Sequence, residues 1–407
     1  MMNKGVVFPE TLEHLLIERS LGAERAEKAT NARLPKREFE GIARAVIELS
    51  DASDASAAPY KGRDAELFRR AAQLVYMVPR AFAELRAVLA EMEGLFSGRA
   101  EVSMLQLGDG LDGPLAFLDF AARSLGAKAA NISVMGSDSQ TQKDIHGLAA
   151  MYGEALRGEG FRIHPRIDTA SVDLQTASAP RARYDIILLN RALGALWQDN
   201  DADKRKRVGY IAALADSLED GGCIVIIEPS ARSGSRELQA LRNIAVERHG
   251  LNIFAPCLRQ GPCPMLDEGR EAEWCFSETL WARPKFVRKL DQFLERKSFA
   301  PAFSYVVVSK QSASPVQTVQ GAHLFRAVGG LIQEKGKFRA YLCGEVGCVM
   351  TTLLKRHSKG DARSFRSLRR GDIMAIDDWE KKNDGLRLHD SSRVETVSYT
   401  HLRAHET

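Results

Sequence analysis

The chain has 407 residues, of which 44% are hydrophobic and 27% are charged, and its formal net charge is +4. This length exceeds what one simple core needs, so we expect two or three soluble globular domains, and the mild charge limits any nucleic-acid surface to local patches. The first residues lack a basic head before an apolar run, and no stretch of about 18 apolar residues occurs, so we predict no secretory signal, no membrane span and a cytoplasmic location.

Residues 1–98 are predicted to form a helical region. In "DAELFRRAAQLVYMVPRAFAELRAVLAEMEGLF", apolar residues recur every three or four positions on both sides of Pro79, as they do on one face of a helix. Because proline fits the first turn of a helix, we expect two abutting helices here rather than one bent helix.

Residues 99–312 alternate between short apolar runs and helical stretches. Strands rich in valine and isoleucine, separated by helices, are typical of a parallel sheet covered on both faces. We therefore predict an α/β fold with a doubly wound sheet and a cysteine-rich insertion at 255–276. One of the helices, "KRVGYIAALADSLEDGG", is expected to end at its paired glycines. The predicted strands are "EVSMLQLGDG", "AANISVMGSD", "FRIHPRID", "ARYDIILLN", "CIVIIEPS" and "FSYVVVSK".

After Gln311 the pattern changes to short strands with polar turns and no long helix. This texture predicts a small β domain over 313–393. The tail, 394–407, has no periodic apolar face, and its last ten residues resemble a translated sequencing adapter, so we expect it to be non-native.

The stretch "LQLGDGLDG" (105–113) follows a predicted strand and precedes a helix, where a doubly wound sheet binds its ligand. Gly108 and Gly110 would let the backbone turn tightly and approach a cofactor. A methyl donor has no pyrophosphate, so it needs fewer glycines than a dinucleotide, together with an acid after the second strand for the ribose. Asp138 lies at that place, but it could equally cap the next helix. The predicted cofactor-binding residues are Gly108, Asp109, Gly110, Asp138 and Asn190.

Asn190 and Arg191 end the fourth predicted strand and are expected to face the space where a substrate base would enter. They are not followed by the Asn-Pro-Pro-aromatic arrangement used for amino-group methylation, so we assign no catalytic residue. Glu228, at the end of the fifth strand, could line the site or cap the turn.

Three of the six cysteines fall in one stretch, with the spacing Cys257-x5-Cys263-x11-Cys275, and Cys343 or Cys348 follows far downstream. Clustered cysteines in a chain without an export signal favour metal ligation or catalysis over disulfides. Four thiolates suit zinc or an iron–sulfur cluster. The wide spacing and the Cys263-Pro264 step favour iron–sulfur. Alternatively, Cys257 or Cys263 could be a nucleophile on a pyrimidine ring, whereas Cys223 is expected to be a small core residue.

At this point the chain resembles the methyltransferase-like assembly factors of the small ribosomal subunit. This family includes mitochondrial methyltransferase-like protein seventeen and bacterial relatives described as ribosomal small-subunit methyltransferases. The resemblance implies a Rossmann-like class I methyltransferase sheet that binds S-adenosyl-L-methionine (SAM). The segments that carry it are "AAQLVYMVPRAFAELRAVL", "LQLGDGLDG", "DGGCIVIIEPSARSGSRELQALRN", "APCLRQGPCP", "EWCFSETLWARPKF", "FSYVVVSK" and "KGKFRAYLC".

The resemblance also implies ligands and a partner. It implies a [4Fe–4S] cluster held by Cys257, Cys263, Cys275 and Cys343, which would tie the cysteine-rich insertion to the β domain. The chain departs from the family pattern in the glycine motif, where Gln106 replaces an acid and Asp112 occupies a glycine slot.

Basic residues surround the third and fourth cysteines, as expected of a phosphate-binding surface, although a charged run is often only a solvated face. The expected partner is small-subunit ribosomal RNA or the pre-ribosomal small subunit, with no membrane and a monomeric protein. The predicted RNA-binding residues are Lys285, Arg288, Lys289, Lys355, Arg356, Arg366, Arg369 and Arg370.

Three functions fit these features. The chain is either a SAM-dependent methyltransferase acting on this RNA, a non-catalytic RNA-binding assembly factor on the same fold, or a regulator whose cluster senses iron or redox state. The altered glycine motif and the missing amine-methylation arrangement favour the second.

Overall fold

The computed structural model describes residues 5–23, 34–50, 64–174, 178–193, 201–296, 299–311, 322–358, 361–382 and 385–397, with only the backbone described for 201–205 and 361. Within these ranges, no helix combines the length and the apolar character needed to cross a bilayer.

An eight-stranded sheet forms the centre of the molecule, in the order β4-β3-β2-β5-β6-β10-β7, with β8 paired to β10. Strands β2 to β6 run parallel, and β10 is antiparallel to both of its long neighbours. The chain winds outward from β2 in both directions, so the switch point lies between β2 and β5. The strands are β2 Glu101–Leu107, β3 Ala129–Gly136, β4 His164–Ser171, β5 Tyr184–Asn190, β6 Leu218–Pro229, β7 Asn252–Ala255, β8 Ser277–Glu278 and β10 Ala302–Ser309.

The central strands are apolar because both faces of the sheet are covered. In β5, Ile186 and Leu188 belong to one hydrophobic core, while Ile187 and Leu189 belong to another on the opposite face. This burial on both sides explains the continuous apolar runs in the sequence and confirms the predicted doubly wound α/β fold. The helices that follow the strands are α6 Asp112–Arg123, α7 Ser139–Gly158, α8 Asp201–Ala215, α9 Arg232–His249 and α10 Lys285–Phe293.

The helix before β6 is shorter than predicted. Helix α8 ends at Ala215, and Leu218 already pairs with Tyr184 of β5. The paired glycines, Gly221 and Gly222, therefore lie within β6 rather than at a helix end, because pairing with β5 extends the strand.

The N-terminal helices share a hydrophobic core with α6, α7 and one face of the sheet. The predicted break at Pro79 is wrong: helix α3 continues through a π-helical segment, Gln73–Met77, into α4. The π-helical turn is wider than an α-helical one, so it accommodates Pro79, which has no N–H to donate and whose ring would clash with the preceding turn. The N-terminal elements are β1 Val6–Val7, which pairs with β9 Trp281–Ala282, and α1 Glu10–Leu21, α2 Lys36–Ser50, α3 Ala65–Ala72, α4 Val78–Glu91 and α5 Glu93–Phe96.

A second eight-stranded sheet follows, in the order β16-β17-β14-β13-β11-β15-β18, with β12 paired to β13. It has its own core, in agreement with the predicted β texture. The sheet extends through Val397, past the expected domain boundary at residue 394, because β18 pairs with β15; residues 398–407 lie outside the described part. The strands are β11 His323–Ala327, β12 Ile332–Glu334, β13 Lys337–Gly344, β14 Gly347–Leu354, β15 Ile373–Ile376, β16 Glu380–Lys382, β17 Gly385–Leu388 and β18 Val394–Val397.

Candidate functional site

A cavity of about 680 Å³ lies at the switch point of the central sheet. Loops at the carboxyl ends of β2, β3, β4 and β5 form one wall, and the N-terminal helices form the other. This is where open α/β sheets bind their ligands. The lining residues with charged side chains are Arg80, Glu84, Asp109, Asp112, Asp173 and Arg191.

The glycine-rich loop after β2 is held by the side chain of Gln106. Its amide Nε2 donates to the carbonyl oxygens of Gly108 (3.0 Å) and Gly110 (2.6 Å). Gly108 has φ +114°, which an L side chain rarely adopts. Both glycines line the cavity, and their contact with a cofactor stays a prediction.

Asp109 joins the loops that follow β2 and β3. Its carboxylate accepts hydrogen bonds from the Ser137 backbone N–H (3.0 Å), the Ser137 hydroxyl (2.9 Å) and the Asp138 backbone N–H (3.1 Å). A Cβ at Gly136 would stand 2.0 Å from an Asp109 oxygen, so only glycine there allows this approach. Asp109 therefore shapes the wall of the cavity through the backbone.

Asp138 caps helix α7. Its carboxylate accepts from the Gln140 backbone N–H (2.9 Å) and from the Thr141 hydroxyl (2.6 Å). These hydrogen bonds, first that from the Thr141 side chain, lower the pKa of Asp138. The capping alternative is thus what the structure displays, and Asp138 does not belong to the residues that line the cavity. Its contact with a ribose stays a prediction.

Buried charges close the cavity beneath the end of β5. Asn190 donates its amide to the buried Asp112 carboxylate, and Arg191, with φ +52°, forms an ion pair with Glu84 of α4. Burial raises the pKa of Glu84 and of Asp112, and the Arg191 guanidinium opposes this effect. The pKa of Arg191 is raised, since these two carboxylates outweigh the desolvation of its guanidinium, even though the side chain is 37% exposed. Glu228 accepts from the Leu193 backbone N–H (3.1 Å), so it holds the loop after β5.

The wall supplied by the N-terminal helices was not predicted from the sequence. Glu84 is 4% exposed in spite of its charge, and it lies between Phe82 and Leu85 in an apolar helical run. An acid on the apolar side of a helix is expensive to bury without a partner. That position was the available signal, but its partner, Arg191, is 107 residues away.

The cysteine-rich loop is fastened to helix α9 by two arginines. The Arg236 Nη1 donates to the carbonyl oxygens of Met265 (2.7 Å), Arg270 (2.8 Å) and Glu273 (2.8 Å). Arg242, which is fully buried, donates to the carbonyl oxygens of Gly261 (2.5 Å) and Arg259 (2.6 Å). A loop without regular structure is thereby given a defined shape, because its carbonyls find fixed donors.

Cysteines from the loop and from the second sheet come together. Cys263 and Cys348 are buried in a small apolar cluster against which Cys275 and Cys343 pack, and Cys343 stands opposite Cys348 in the β13–β14 pairing. Within the described ranges, no group of three or more cysteine, histidine or acidic side chains has an arrangement that could hold a metal ion.

The thiols nevertheless influence one another. Burial, followed by the charge of Cys257, raises the pKa of Cys263 to about 11, and the same two causes raise the pKa of Cys275. The hydrogen bond with Cys348, followed by burial, raises the pKa of Cys343. A cationic centre would relieve this mutual repulsion, but the thiols of the described residues do not have the arrangement that would hold one. Cys223 is fully buried in β6, as predicted for a core residue.

The predicted RNA-binding residues lie on α10 and along residues 355–370, which follow β14. Lys285, Arg288 and Lys289 are exposed at helical spacing on α10. Lys355 and Arg366 both approach the ring of Phe338, at 5.5 and 5.7 Å.

The other three predicted contacts differ in exposure. Arg356 and Arg369 are exposed. Arg370 is turned inward: its guanidinium lies 3.8 Å from the centre of the Phe276 ring and donates to the Val328 carbonyl. Because these partners hold it within the protein, Arg370 is a poor candidate for RNA contact.

The sheet order, with antiparallel β10 beside β6 and a cavity at the switch point, places the protein in the class of methyltransferase-like α/β proteins. A sequence model of the family described as mitochondrial small ribosomal subunit Rsm22 matches residues 69–375. The chain belongs to this family, which confirms the resemblance drawn from the sequence.

Solved structures of methyltransferases are similar at low identity. The plantazolicin methyltransferase BpumL in complex with S-adenosylhomocysteine (SAH) and a triazolic substrate analogue has 12% identity and a TM-score of 0.36, over 68% of this chain and 98% of that one. A TehB-like SAM-dependent methyltransferase from Corynebacterium glutamicum has 12% identity and a TM-score of 0.30, over 56% and 93%. The ribosomal protein L11 methylase from Lactobacillus delbrueckii subsp. bulgaricus has 12% identity and a TM-score of 0.30, over 56% and 78%. No curated protein matches the chain.

Proposed function

We propose that this protein binds SAM in the cavity at the switch point and acts on small-subunit ribosomal RNA during ribosome assembly. Family membership supports the ribosomal partner. The observation that carries the SAM proposal is the cavity itself, where a loop with glycines at Gly108 and Gly110 meets the end of β5. Bound SAM would supply an activated methyl group, while Gln106 and Asp109 hold the loops that shape its site.

Calorimetric titration of the full chain with SAM and with SAH tests this proposal. We expect saturable binding of both, since the two molecules share the adenosyl and amino-acid parts. If neither SAM nor SAH binds, the cofactor is removed from the proposal, and the protein would recognise RNA alone.

A non-catalytic role is the second candidate. It is favoured by the side chains at the end of β5. Asn190 is hydrogen-bonded to Asp112 and Arg191 is ion-paired with Glu84, so both side chains already have partners at the position where an acceptor base would enter. Incubation of immature small subunits with tritiated SAM separates the two roles. Methyl transfer to RNA would establish an enzyme, and SAM binding without transfer would establish an assembly factor.

We further propose that Cys257, Cys263, Cys275 and Cys343 hold a [4Fe–4S] cluster. This is supported by the packing of Cys263, Cys275 and Cys343 in one small cluster and by the effect of Cys257 on the pKa of all three. Protein purified without oxygen should be brown, and Cys343→Ser should lose the visible absorption. Cys223→Ala is the matched control and should keep it. A colourless protein with stoichiometric zinc, or loss of colour only in Cys348→Ser, would contradict this ligand set.

For RNA, we propose the exposed basic residues of α10 together with the pair that flanks Phe338. The double variant Lys355→Ala/Arg366→Ala should weaken RNA binding and reduce the slope of log affinity against log salt by about one for each phosphate that is no longer neutralised. Lys310→Ala removes an exposed lysine of the central sheet and should leave the slope unchanged. The cytoplasmic location stays a prediction, since the family description names mitochondria. The monomeric state also stays a prediction.

A further inference from the structure

Among the carboxylates that line the cavity, Asp112 differs in the hydrogen-bond and ion-pair partners of its side chain. The Asp109 carboxylate accepts from two backbone N–H groups and a hydroxyl, and Glu84 is paired directly with the Arg191 guanidinium. The side-chain partner of Asp112 is the neutral amide of Asn190. Asp112 therefore forms no ion pair of its own among the residues described there, and the Arg191 guanidinium, which is paired with Glu84, acts on it only through space.

The position of Asp112 is also fixed. It is the first residue of helix α6 and is only 7% exposed. Its Oδ1 lies on the side of the glycine loop, 3.2 Å from where a Cβ on Gly110 would stand. The next residue, Gly113, packs closely on Gln106 and Leu188, since a Cβ there would lie 1.7 Å from the Gln106 side-chain oxygen. A buried carboxylate in such a place costs free energy unless a cation or several donors meet it.

The other charged side chains around the cavity also favour a ligand with a positive group. Four carboxylates line it, against the guanidiniums of Arg80 and Arg191. A cavity with this balance favours a ligand that brings a positive group. An amino-acid α-ammonium group has three donors and a full charge, which suits a carboxylate that already has one oxygen bound to a neutral amide.

We propose that the Asp112 carboxylate binds the α-ammonium group of the methionyl part of the methyl donor and so makes the cavity specific for ligands with that group. This inference rests on the proposed function of the cavity as a SAM site. It assigns a specificity-determining role to a residue in the glycine motif, whereas Asn190 positions the carboxylate.

The test uses the full-length protein and two ligands that differ by one group. These are SAH and its deaminated analogue, in which hydrogen replaces the ammonium group. SAH is used because it lacks the sulfonium charge of SAM, so a preference reports on the ammonium alone. Wild-type protein should bind SAH about tenfold to a hundredfold more tightly than the analogue, as for a hydrogen-bonded charged pair.

The variant Asp112→Asn keeps the size of the side chain and an oxygen that accepts from Asn190, but it removes the charge. It should bind SAH at least about tenfold more weakly and bind the analogue within about twofold of wild type, which closes a thermodynamic cycle. Asp216→Asn, which removes an exposed carboxylate outside the cavity lining, is the matched control and should bind both ligands as wild type does.

The outcomes distinguish failure of this inference from failure of the proposal that the cavity binds SAM. If the wild type binds neither ligand, the SAM site and the role of Asp112 both fall. If the wild type binds SAH and the analogue equally, the site stands and the role of Asp112 falls, whatever the variant does. Equal losses for both ligands in a folded Asp112→Asn protein would likewise make Asp112 a structural residue.

Discussion

At the scale of single residues, three aspartates that are similar in their sequence context have different structural roles. Asp109 fixes two loops, Asp112 lies buried beside Asn190, and Asp138 caps a helix. What separates them is the set of donors each one meets. Asp138 meets donors of its own helix, so its cap was foreseeable from local sequence, whereas the partners of Asp112 and Asp109 come from other strands.

The capping role of Asp138 predicts an effect on stability. Asp138→Ala should lower the free energy of unfolding by about 1 kcal/mol near neutral pH, as loss of a helix N-cap typically does, and Asp138→Asn should recover most of it. The pKa of Asp138 is lowered in the folded protein, so the stabilisation by its charge is present above the unfolded pKa and is lost as the pH falls through the folded value. Urea denaturation at several pH values measures this.

The same variant tests the ribose prediction. If Asp138→Ala binds SAH as the wild type does, the residue is a cap and nothing more. An unchanged free energy of unfolding, by contrast, would refute the capping role.

Two glycines make a matched pair for a packing test. A Cβ on Gly113 would lie 1.7 Å from the Gln106 side-chain oxygen and 2.9 Å from a Leu188 methyl group, whereas nothing lies within 4 Å of one on Gly147. Gly113→Ala should therefore destabilise the protein by about 1–3 kcal/mol. Gly147→Ala, inside helix α7, should stabilise it by about 0.4–1 kcal/mol. Thermal denaturation decides, and a shift of the same sign in both variants would contradict the packing argument.

At the scale of elements, helix α9 organises the cysteine-rich loop. Two of its arginines, Arg236 and Arg242, reach carbonyl oxygens at 259, 261, 265, 270 and 273. The loop itself contains only one short 3-10 turn, Pro264–Leu266. The loop has a few backbone hydrogen bonds of its own, such as that from Leu266 to Cys263, and its shape depends in addition on a helix that precedes it in the chain.

Replacement of Arg236 measures this dependence. Arg236→Met removes the donor shared by three carbonyls and should lower the free energy of unfolding by about 2–3 kcal/mol, because hydrogen bonds from charged donors contribute about 1.5–3 kcal/mol. Amide exchange over 263–275 should become faster. Arg232→Met, at the exposed start of the same helix, is the control and should change neither quantity. Unchanged exchange in Arg236→Met would show that the loop holds its own shape.

At the scale of the whole molecule, a buried ion pair joins the helical region and both sheets. Arg326 of β11 pairs through two nitrogens with the Glu91 carboxylate of α4, at 3.1 and 3.2 Å, and the Tyr305 hydroxyl of β10 donates to the same carboxylate at 2.7 Å. Arg326 also donates to the Gly371 carbonyl beside β15 (3.2 Å). The side chains of the pair are 7% and 14% exposed, so solvent screens the pair little.

Removal of one partner should loosen the second sheet. Glu91→Gln leaves the buried Arg326 charge without its carboxylate, which is expected to cost about 3–5 kcal/mol. Hydrogen exchange should accelerate in β11 and β15 more than in β2 or β5. Glu345→Gln, in the exposed turn between β13 and β14, is the control. Equal protection of β11 and β15 in Glu91→Gln and wild type would mean that apolar packing alone joins the sheets.

The sequence by itself determined the alternation of the six longer strands of the central sheet with helices and the glycine turn after β2, and it offered the cap of α7 as one of two roles for Asp138. These features depend on periodicity and on residues a few positions apart, so they can be recognised without knowing the fold. Only the tertiary structure decided that α3 and α4 continue through a π-helical segment, that Glu84 meets Arg191, that Arg370 turns inward and that Cys343 stands opposite Cys348 beside the loop. The pairing of Glu84 with Arg191, the inward turn of Arg370 and the approach of the hairpin cysteines to the loop depend on which distant segments come together. A buried charge or thiol takes its properties from the neighbours that exclude water from it.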